Sequence, residues 1–234
     1  MALKTPRFIQ DANIQGGAVD VPWDRQVFRS LEDYRSKNLQ TALLKIAPHA
    51  NLAYAIGVAE WVCRRLTSAT DCGPTLDYIE GIWAAMVDRR YLAKKKMDYV
   101  KFTWTDGAVD AIRFVNNLLF LVYANCKGDN PDRTADTSQL VAVARHVLPD
   151  KRVFDQWATE SLKRLTALFG YEKELGPAVP RQTLEPTLSY DPKRRIEYLD
   201  EFLKGLSPDR NPFLAKAADL VAQGFTGAPY RLTE

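Results

Sequence analysis

The chain has 234 residues, of which 46% are hydrophobic and 26% are charged, a balance that excludes a disordered chain and allows one large domain with its own core. Its formal net charge is only +3, whereas a dedicated nucleic-acid-binding protein usually concentrates more basic charge on one face. Three cysteines, an odd number without a C-x-x-C pair, indicate neither a disulfide framework nor a zinc site.

The N-terminus and the apolar runs predict where the protein resides. The first stretch, MALKTPRFIQDA, has no continuous apolar segment of the kind that a secretory signal needs. The longest apolar run, residues 118–126, falls far short of the ~18 residues of a membrane span. We therefore expect a cytoplasmic protein with reduced thiols and no membrane partner.

Helical patterns follow one another along the first two thirds of the chain. Residues 1–22 contain two prolines and two glycines and show no helical period, which predicts an extended N-terminal arm. Proline, glycine and capping residues then delimit six helices. These are predicted from Asp24 to about Ala47, from Asn51 to near Thr67, from Gly73 to the lysines at 94–96, from about Thr105 to Cys126, from about Asp136 to Leu148, and from Lys151 to Phe169.

Residues 170–190 have a different composition. Three prolines in this stretch exclude a long helix and favour an extended connection across the surface. Asp191-Pro192 then opens a seventh helix, and an eighth lies between Pro212 and Gly224. The prediction is an all-α protein, a bundle of about eight helices in which residues 23–234 form a single domain and the Pro-rich connection precedes the last two helices.

The second helix, LAYAIGVAEWVCRRL at residues 52–66, carries one carboxylate in an apolar setting. Glu60 lies off the apolar stripe of the helical wheel, and Arg64 follows it by four residues, which predicts a boundary residue paired with Arg64. Tyr54 and Trp61 lie on the side opposite the stripe. The helix is therefore either packed on both sides or presents these aromatic side chains to a partner.

The strongest charge feature is residues 88–104, DRRYLAKKKMDYVKFTW, where basic and aromatic side chains alternate. This pattern is typical of a solvated helix end, and it also suits an acidic protein surface or a single-stranded nucleic acid. Together with the two aromatic residues of the second helix, it gives the candidate partner-binding residues: Tyr54, Trp61, Arg89, Arg90, Lys94, Lys95, Lys96, Tyr99 and Lys101.

Common catalytic and cofactor motifs are absent from the sequence. It contains two histidines and no H-E-x-x-H, G-x-G-x-x-G, P-loop or G-x-S-x-G motif. We therefore name no catalytic residue, no metal ligand and no cofactor. A metal-dependent alternative would need the carboxylates Glu60, Asp77, Glu80 and Asp88 to converge, because Asp77 and Asp88 alone lie about 16 Å apart along one helix.

Three segments, YAIGVAEWVCRRL, TLDYIEGIWAAMV and DGAVDAIRFVNNLLFLVY, resemble the YjaG-like proteins, a family of small helical bacterial proteins. The resemblance covers residues 50–125, consists of packing motifs, and implies a helical fold without implying any catalytic residue. The overall profile is also similar to that of bacterial immunity proteins, which neutralise a toxin by occluding it.

These observations predict a non-catalytic binding protein of the immunity or antitoxin type, whose partner is a cognate toxin protein. Two alternatives stay open at this point. One is a helical enzyme that uses clustered carboxylates and a divalent metal. The other is a nucleic-acid-binding protein that acts through residues 88–104.

Overall fold

The computed structural model describes residues 3–19, 22–93, 107–126, 130 and 132–232. Over these residues the protein is all-α, as predicted, with no β-sheet and with eight helices of seven residues or longer. The α-helices are α1 Arg7–Asp11, α2 Arg25–Glu32, α3 Lys37–Leu43, α4 Pro48–Leu66, α5 Gly73–Val87, α6 Gly107–Asn125, α7 Asp132–Val147, α8 Lys151–Leu168, α9 Arg195–Lys204 and α10 Ala217–Ala222.

Helix α4 is the centre of the molecule. It begins with a proline at its first position, which needs no backbone hydrogen bond there. It packs against α5, α6, α7 and α8, so that only His49 and Arg64 escape full burial. Its polar side chains are enclosed with it, and Asn51 Oδ1 accepts a hydrogen bond of 3.0 Å from Thr137 Oγ1 of α7.

Two predicted helices end earlier in the structure than their sequence patterns indicate. The stretch from Asp24 to Ala47 is divided into α2 and α3, because the Ser36 hydroxyl accepts a hydrogen bond from Leu39 N and starts a second helix. Helix α5 ends at Val87, before the lysines. Asp88 is extended and caps a short 3₁₀ helix, Arg89–Tyr91, instead of continuing the α-helix.

The sequence pattern predicts no segment with the length and composition of a membrane span, and helix α6 departs from that prediction. Among the described residues, it is the one helix that is long and apolar enough to cross a membrane by length and composition alone. About half of its apolar window is buried inside the protein, where it packs against α4 and α7. Core helices commonly show these properties, so the feature is weak evidence for a membrane span.

The N-terminal arm is partly helical, since it contains α1, and arginine side chains hold it on the core. The Arg65 guanidinium, 5% exposed, donates hydrogen bonds to the carbonyl oxygens of Ile14, Gly17 and Ala18 in the arm. Arg64 donates to the Leu3 carbonyl. The last turn of α4 therefore binds the arm through its backbone oxygens, while Phe8 and Ile9 of the arm pack into the core.

The Pro-rich connection crosses α4 and α8 as an extended chain with one 3₁₀ turn, Arg181–Leu184. Arg164 in α8 donates to the carbonyl oxygens of Glu185 and Pro186 at 2.7 and 3.0 Å, and Trp157 Nε1 donates to Leu184 O at 3.0 Å. Beyond the connection, α9 and α10 bury a second, smaller apolar cluster against the end of α5. The division into an arm and one domain stays a prediction.

Candidate functional site

A cleft with two lobes lies where the N-terminal arm meets the 3₁₀ turn of the connection, and we call it the Arg181 cleft. The larger lobe has a volume of about 420 Å³ and the smaller one about 250 Å³. Both are lined by Lys4, Arg181 and Gln182. The other lining residues are Leu3, Glu80, Glu201, Phe202, Gly205 and Leu206 in the large lobe, and Thr5, Pro6, Arg7, Phe8, Gln10, Glu60, Trp83, Leu184, Glu185 and Leu188 in the small lobe.

A buried ion pair lies at the junction of the lobes. Arg181 Nη2 is 2.7 Å from Glu60 Oε1, and the two side chains are 21% and 2% exposed. The same Nη2 atom donates to the Lys4 carbonyl at 3.3 Å. Burial raises the pKa of the Glu60 carboxyl, and the Arg181 charge and hydrogen bond oppose that rise without cancelling it. One side chain of the connection thus reaches both the core helix and the N-terminal arm.

The predicted pairing of Glu60 with Arg64 is therefore wrong. Glu60 lies in the interior, and its partner is Arg181, 121 positions later in the chain. The helical wheel places Glu60 correctly off one apolar stripe, but it carries no information about what covers the other side of α4. The arm and the connection cover the side of α4 that carries Glu60, and Arg181 belongs to the connection.

Glu60 meets three conditions that a catalytic carboxylate needs, namely a raised pKa, a second acid nearby and a pocket. The second acid is Glu185, whose pKa burial also raises and which lines the same small lobe. Both groups are already engaged, however. The Glu185 oxygens accept hydrogen bonds from Arg7 N and Phe8 N at 2.9 and 3.2 Å and so hold the start of α1. We assign both carboxylates a structural role.

A second ionic cluster fastens α5 to the segment before α10. Arg210 forms ion pairs with Asp77, at 2.7 Å, and with Glu80. Asn211 Nδ2 donates to Glu80 Oε2 and to the Asp77 carbonyl, both at 2.8 Å. Glu80 lines the large lobe, so this cluster fixes one wall of the cleft.

The four carboxylates that a metal-dependent enzyme would need do not converge. Glu60 pairs with Arg181, Asp77 and Glu80 pair with Arg210, and Asp88 pairs with Arg90 at 2.6 Å. Within the described ranges, no group of three or more histidine, cysteine, aspartate or glutamate side chains is arranged to hold a metal ion.

The aromatic pair of the predicted contact set is buried. Tyr54 and Trp61 are each 1% exposed. Tyr54 stacks on Trp157, with ring centroids 6.0 Å apart, and Trp61 meets Phe154 edge-on at 5.6 Å. Of the two possibilities left open by the sequence, α4 is packed on both sides. These two residues are interior residues and not contact residues.

The basic part of the predicted contact set is only partly described. Arg90 is bound by Asp88 and stacks over the Phe225 ring. Arg89 donates to the Cys126 carbonyl at 3.1 Å and lies over the Tyr123 ring. Both arginines thus make intramolecular contacts. Lys94, Lys95, Lys96, Tyr99 and Lys101 lie outside the described residues.

Four features of the cleft were missed by the sequence analysis. Lys4 and Glu201 line it, and neither forms an ion pair within the part of the chain that the structure describes. Trp83 Nε1 and Gln182 Oε1 are buried there and have no hydrogen-bond partner among the described residues. Trp83 is buried in α5, and nothing in the sequence indicates that its indole N–H lacks a partner.

Comparison with known proteins adds no relative, because no family model, no curated protein and no solved structure matches the chain. The resemblances to YjaG-like proteins and to immunity proteins stay predictions.

Proposed function

We propose that this chain is a binding protein whose contact site is the Arg181 cleft, and that it works by covering a partner protein, as bacterial immunity proteins cover a toxin. The observation that carries the proposal is the composition of the cleft. It combines apolar walls, charged residues that have no ion partner among the described residues, and buried polar atoms that a bound molecule could satisfy.

The large lobe has the layout of an anchor pocket. Leu3, Phe202 and Leu206 supply apolar wall, while Lys4 and Glu201 supply charges of opposite sign. Protein interfaces concentrate their affinity in a few side chains that fill such a pocket, and the surrounding charges contribute mainly to specificity and to the association rate. Lys4 and Glu201 suit the second role because no intramolecular ion pair among the described residues competes for them.

The sequence supports a non-catalytic use of this cleft. It lacks the common catalytic and cofactor motifs, and the carboxylates that line the small lobe hold structural partners. The basic segment that includes Lys94–Lys96 stays a second candidate contact surface on sequence grounds alone. A toxin protein suits this proposal, since a protein partner is large enough to bury a cleft together with further contact surface.

The test has two stages. A tagged protein is first used as bait in its own organism, and any stoichiometric partner is identified by mass spectrometry and purified. The affinity of that partner is then measured by titration calorimetry for the native protein, for Lys4→Glu at the cleft, and for Lys37→Glu as a matched control. Lys37 is an equally exposed lysine on α3 that does not line the cleft.

Charge reversal at Lys4 is expected to weaken the complex about tenfold, which corresponds to about 1.4 kcal/mol. Lys37→Glu is expected to change the affinity by less than about twofold. Equal affinities for all three proteins would refute the cleft as the contact site. The absence of any stoichiometric partner, at low salt and with nucleic acid retained, would refute the binding function.

A further inference from the structure

The small lobe is lined by a residue whose buried hydrogen-bond donor has no partner in the part of the chain that the structure describes. The Trp83 side chain is only 2% exposed, it lines the lobe, and its indole Nε1 makes no hydrogen bond to any described residue. Gln182 Oε1, in the wall shared by both lobes, is likewise buried and unsatisfied. Buried polar atoms in proteins nearly always have partners, and exceptions in a cleft point to a bound water or ligand.

Charge favours an anion at this place. Three basic residues, Lys4, Arg7 and Arg181, line the small lobe together with two carboxylates. Arg7 pairs with Asp11 at 3.7 Å and Arg181 pairs with Glu60, so Lys4 is the cation of the lobe that has no ion partner among the described residues. Both carboxylates are already bound, Glu60 by Arg181 and Glu185 by backbone N–H groups. A single available cation suits a monoanion better than a dianion.

The remaining walls are apolar. Phe8, Leu184 and Leu188 line the small lobe beside the indole ring. Most ligand sites combine such walls with a few polar groups that fix the orientation of the ligand. The group that fits here is therefore an anionic oxygen group carried on an apolar body.

We infer that the small lobe of the Arg181 cleft is a carboxylate subsite, in which Trp83 Nε1 donates to a carboxylate oxygen of the partner and the lobe's cations balance its charge. The carboxylate belongs to a C-terminus or to an acidic side chain that lies next to an apolar group. This inference rests on the proposed binding function and specifies the chemistry that the cleft recognises.

The experiment uses small probes and the native protein. The chain has five tryptophans, so a ¹H–¹⁵N spectrum resolves their indole N–H signals, and the spectrum of Trp83→Phe identifies the signal of Trp83. The carboxylate probes are N-acetyl-phenylalanine, which represents a C-terminus, and N-acetyl-glutamate amide, which represents a side chain. N-acetyl-phenylalanine amide is the neutral control, and inorganic phosphate is the dianion control.

We expect the Trp83 signal to shift saturably with at least one carboxylate and not with the neutral amide. The carboxylate that binds more tightly identifies the source of the group. Trp83→Phe, which keeps an aromatic ring but removes the N–H, should weaken that probe about tenfold. Trp23→Phe is the matched control. Trp23 Nε1 is also buried with no hydrogen-bond partner among the described residues, but the Trp23 ring lies against Phe114 and His146, outside the cleft. It should leave the affinity unchanged.

The inference is overturned if neither carboxylate shifts the Trp83 signal, if the neutral amide shifts it equally, or if phosphate binds more tightly than both carboxylates. Should Trp83→Phe fail to fold, the titrations of the native protein with the acid and its amide still decide the question. Failure of the carboxylates while Lys4→Glu still weakens the partner complex would remove this subsite and leave the proposed function. If a carboxylate binds but Lys4→Glu leaves the affinity for the partner unchanged, the carboxylate subsite remains and the proposed contact site is refuted.

Discussion

The buried pair of Glu60 and Arg181 gives the sharpest stability prediction, because its two halves are buried unequally. The Arg181→Met variant leaves the Glu60 carboxylate, 2% exposed, without its ion partner. Removing one member of a buried pair typically costs 3–5 kcal/mol, and we expect about 3 kcal/mol at neutral pH because Arg181 is 21% exposed and water can partly replace it. Glu60→Gln should cost only about 1 kcal/mol, since an amide oxygen can still accept from Arg181.

The cost of Arg181→Met should also depend on pH in a known direction. Burial already raises the pKa of Glu60 above its ordinary value of 4.5 in the native protein, and loss of Arg181 removes the interactions that oppose this rise. An acid with a raised pKa in the folded state binds a proton that the unfolded chain has released. Stability therefore falls as pH rises from about 4.5 toward the folded-state pKa, and the fall extends to higher pH in the variant.

The assay is urea unfolding followed by tryptophan fluorescence at a series of pH values from 4.5 to 8. The difference between the native protein and Arg181→Met should be smallest at the acidic end and should grow as pH rises. The double variant Glu60→Gln/Arg181→Met lacks the titrating group and should lose this dependence. A difference that is constant with pH, or a cost for Glu60→Gln as large as that for Arg181→Met, would refute the reasoning.

Three further predictions concern packing, titration and thiol chemistry. Gly57→Ala places a Cβ 2.8 Å from a methyl of Leu184 and 3.0 Å from two ring carbons of the buried Trp157, so it should lower the unfolding free energy by about 1–3 kcal/mol. Gly107→Ala, with no described atom within 4 Å of the new Cβ, should be tolerated, and equal costs would contradict the close approach. Burial raises the pKa of Asp136 to about 6, so stability should fall as pH rises from about 4 to 6 and Asp136→Asn should raise the melting temperature at pH 7; an unchanged profile would contradict it. All three thiols are buried, and burial raises the pKa of Cys126 to about 11. None should therefore react with a disulfide reagent until urea unfolds the protein. Reaction under native conditions would show that one thiol is accessible.

The helices were predictable because each depends on local sequence. The Gly73-Pro74 pair marks a helix start by backbone geometry alone, and the structure places the start of α5 there. Helix α4 begins at Pro48, three residues before the predicted start at Asn51. The prolines after residue 170 exclude a helix in the same way. Errors occur where a local choice competes with helix continuation, as at Ser36 and Asp88, whose side chains cap new turns.

The cleft was not predictable, because its chemistry depends on long-range contacts. On the sequence, the expected partner of Glu60 is Arg64, four residues later, and only the folded chain shows that Arg181 is the partner instead. Tyr54 and Trp61 were assigned to a surface because a helical wheel identifies one buried face, whereas α8 covers the second. Nothing in the sequence marks Lys4 as a cleft residue, because a single lysine without a surrounding motif is common.

The walls of the Arg181 cleft come from opposite ends of the chain, with residues 3–10 on one side and residues 181–206 on the other. During synthesis on the ribosome, the N-terminal wall and the core helices are made long before the residues that complete the pocket. A chain that stops before residue 181 lacks one wall of the cleft. Under the proposed function, recognition therefore depends on the docking of two segments that are far apart in sequence, and loss of either segment would remove the site.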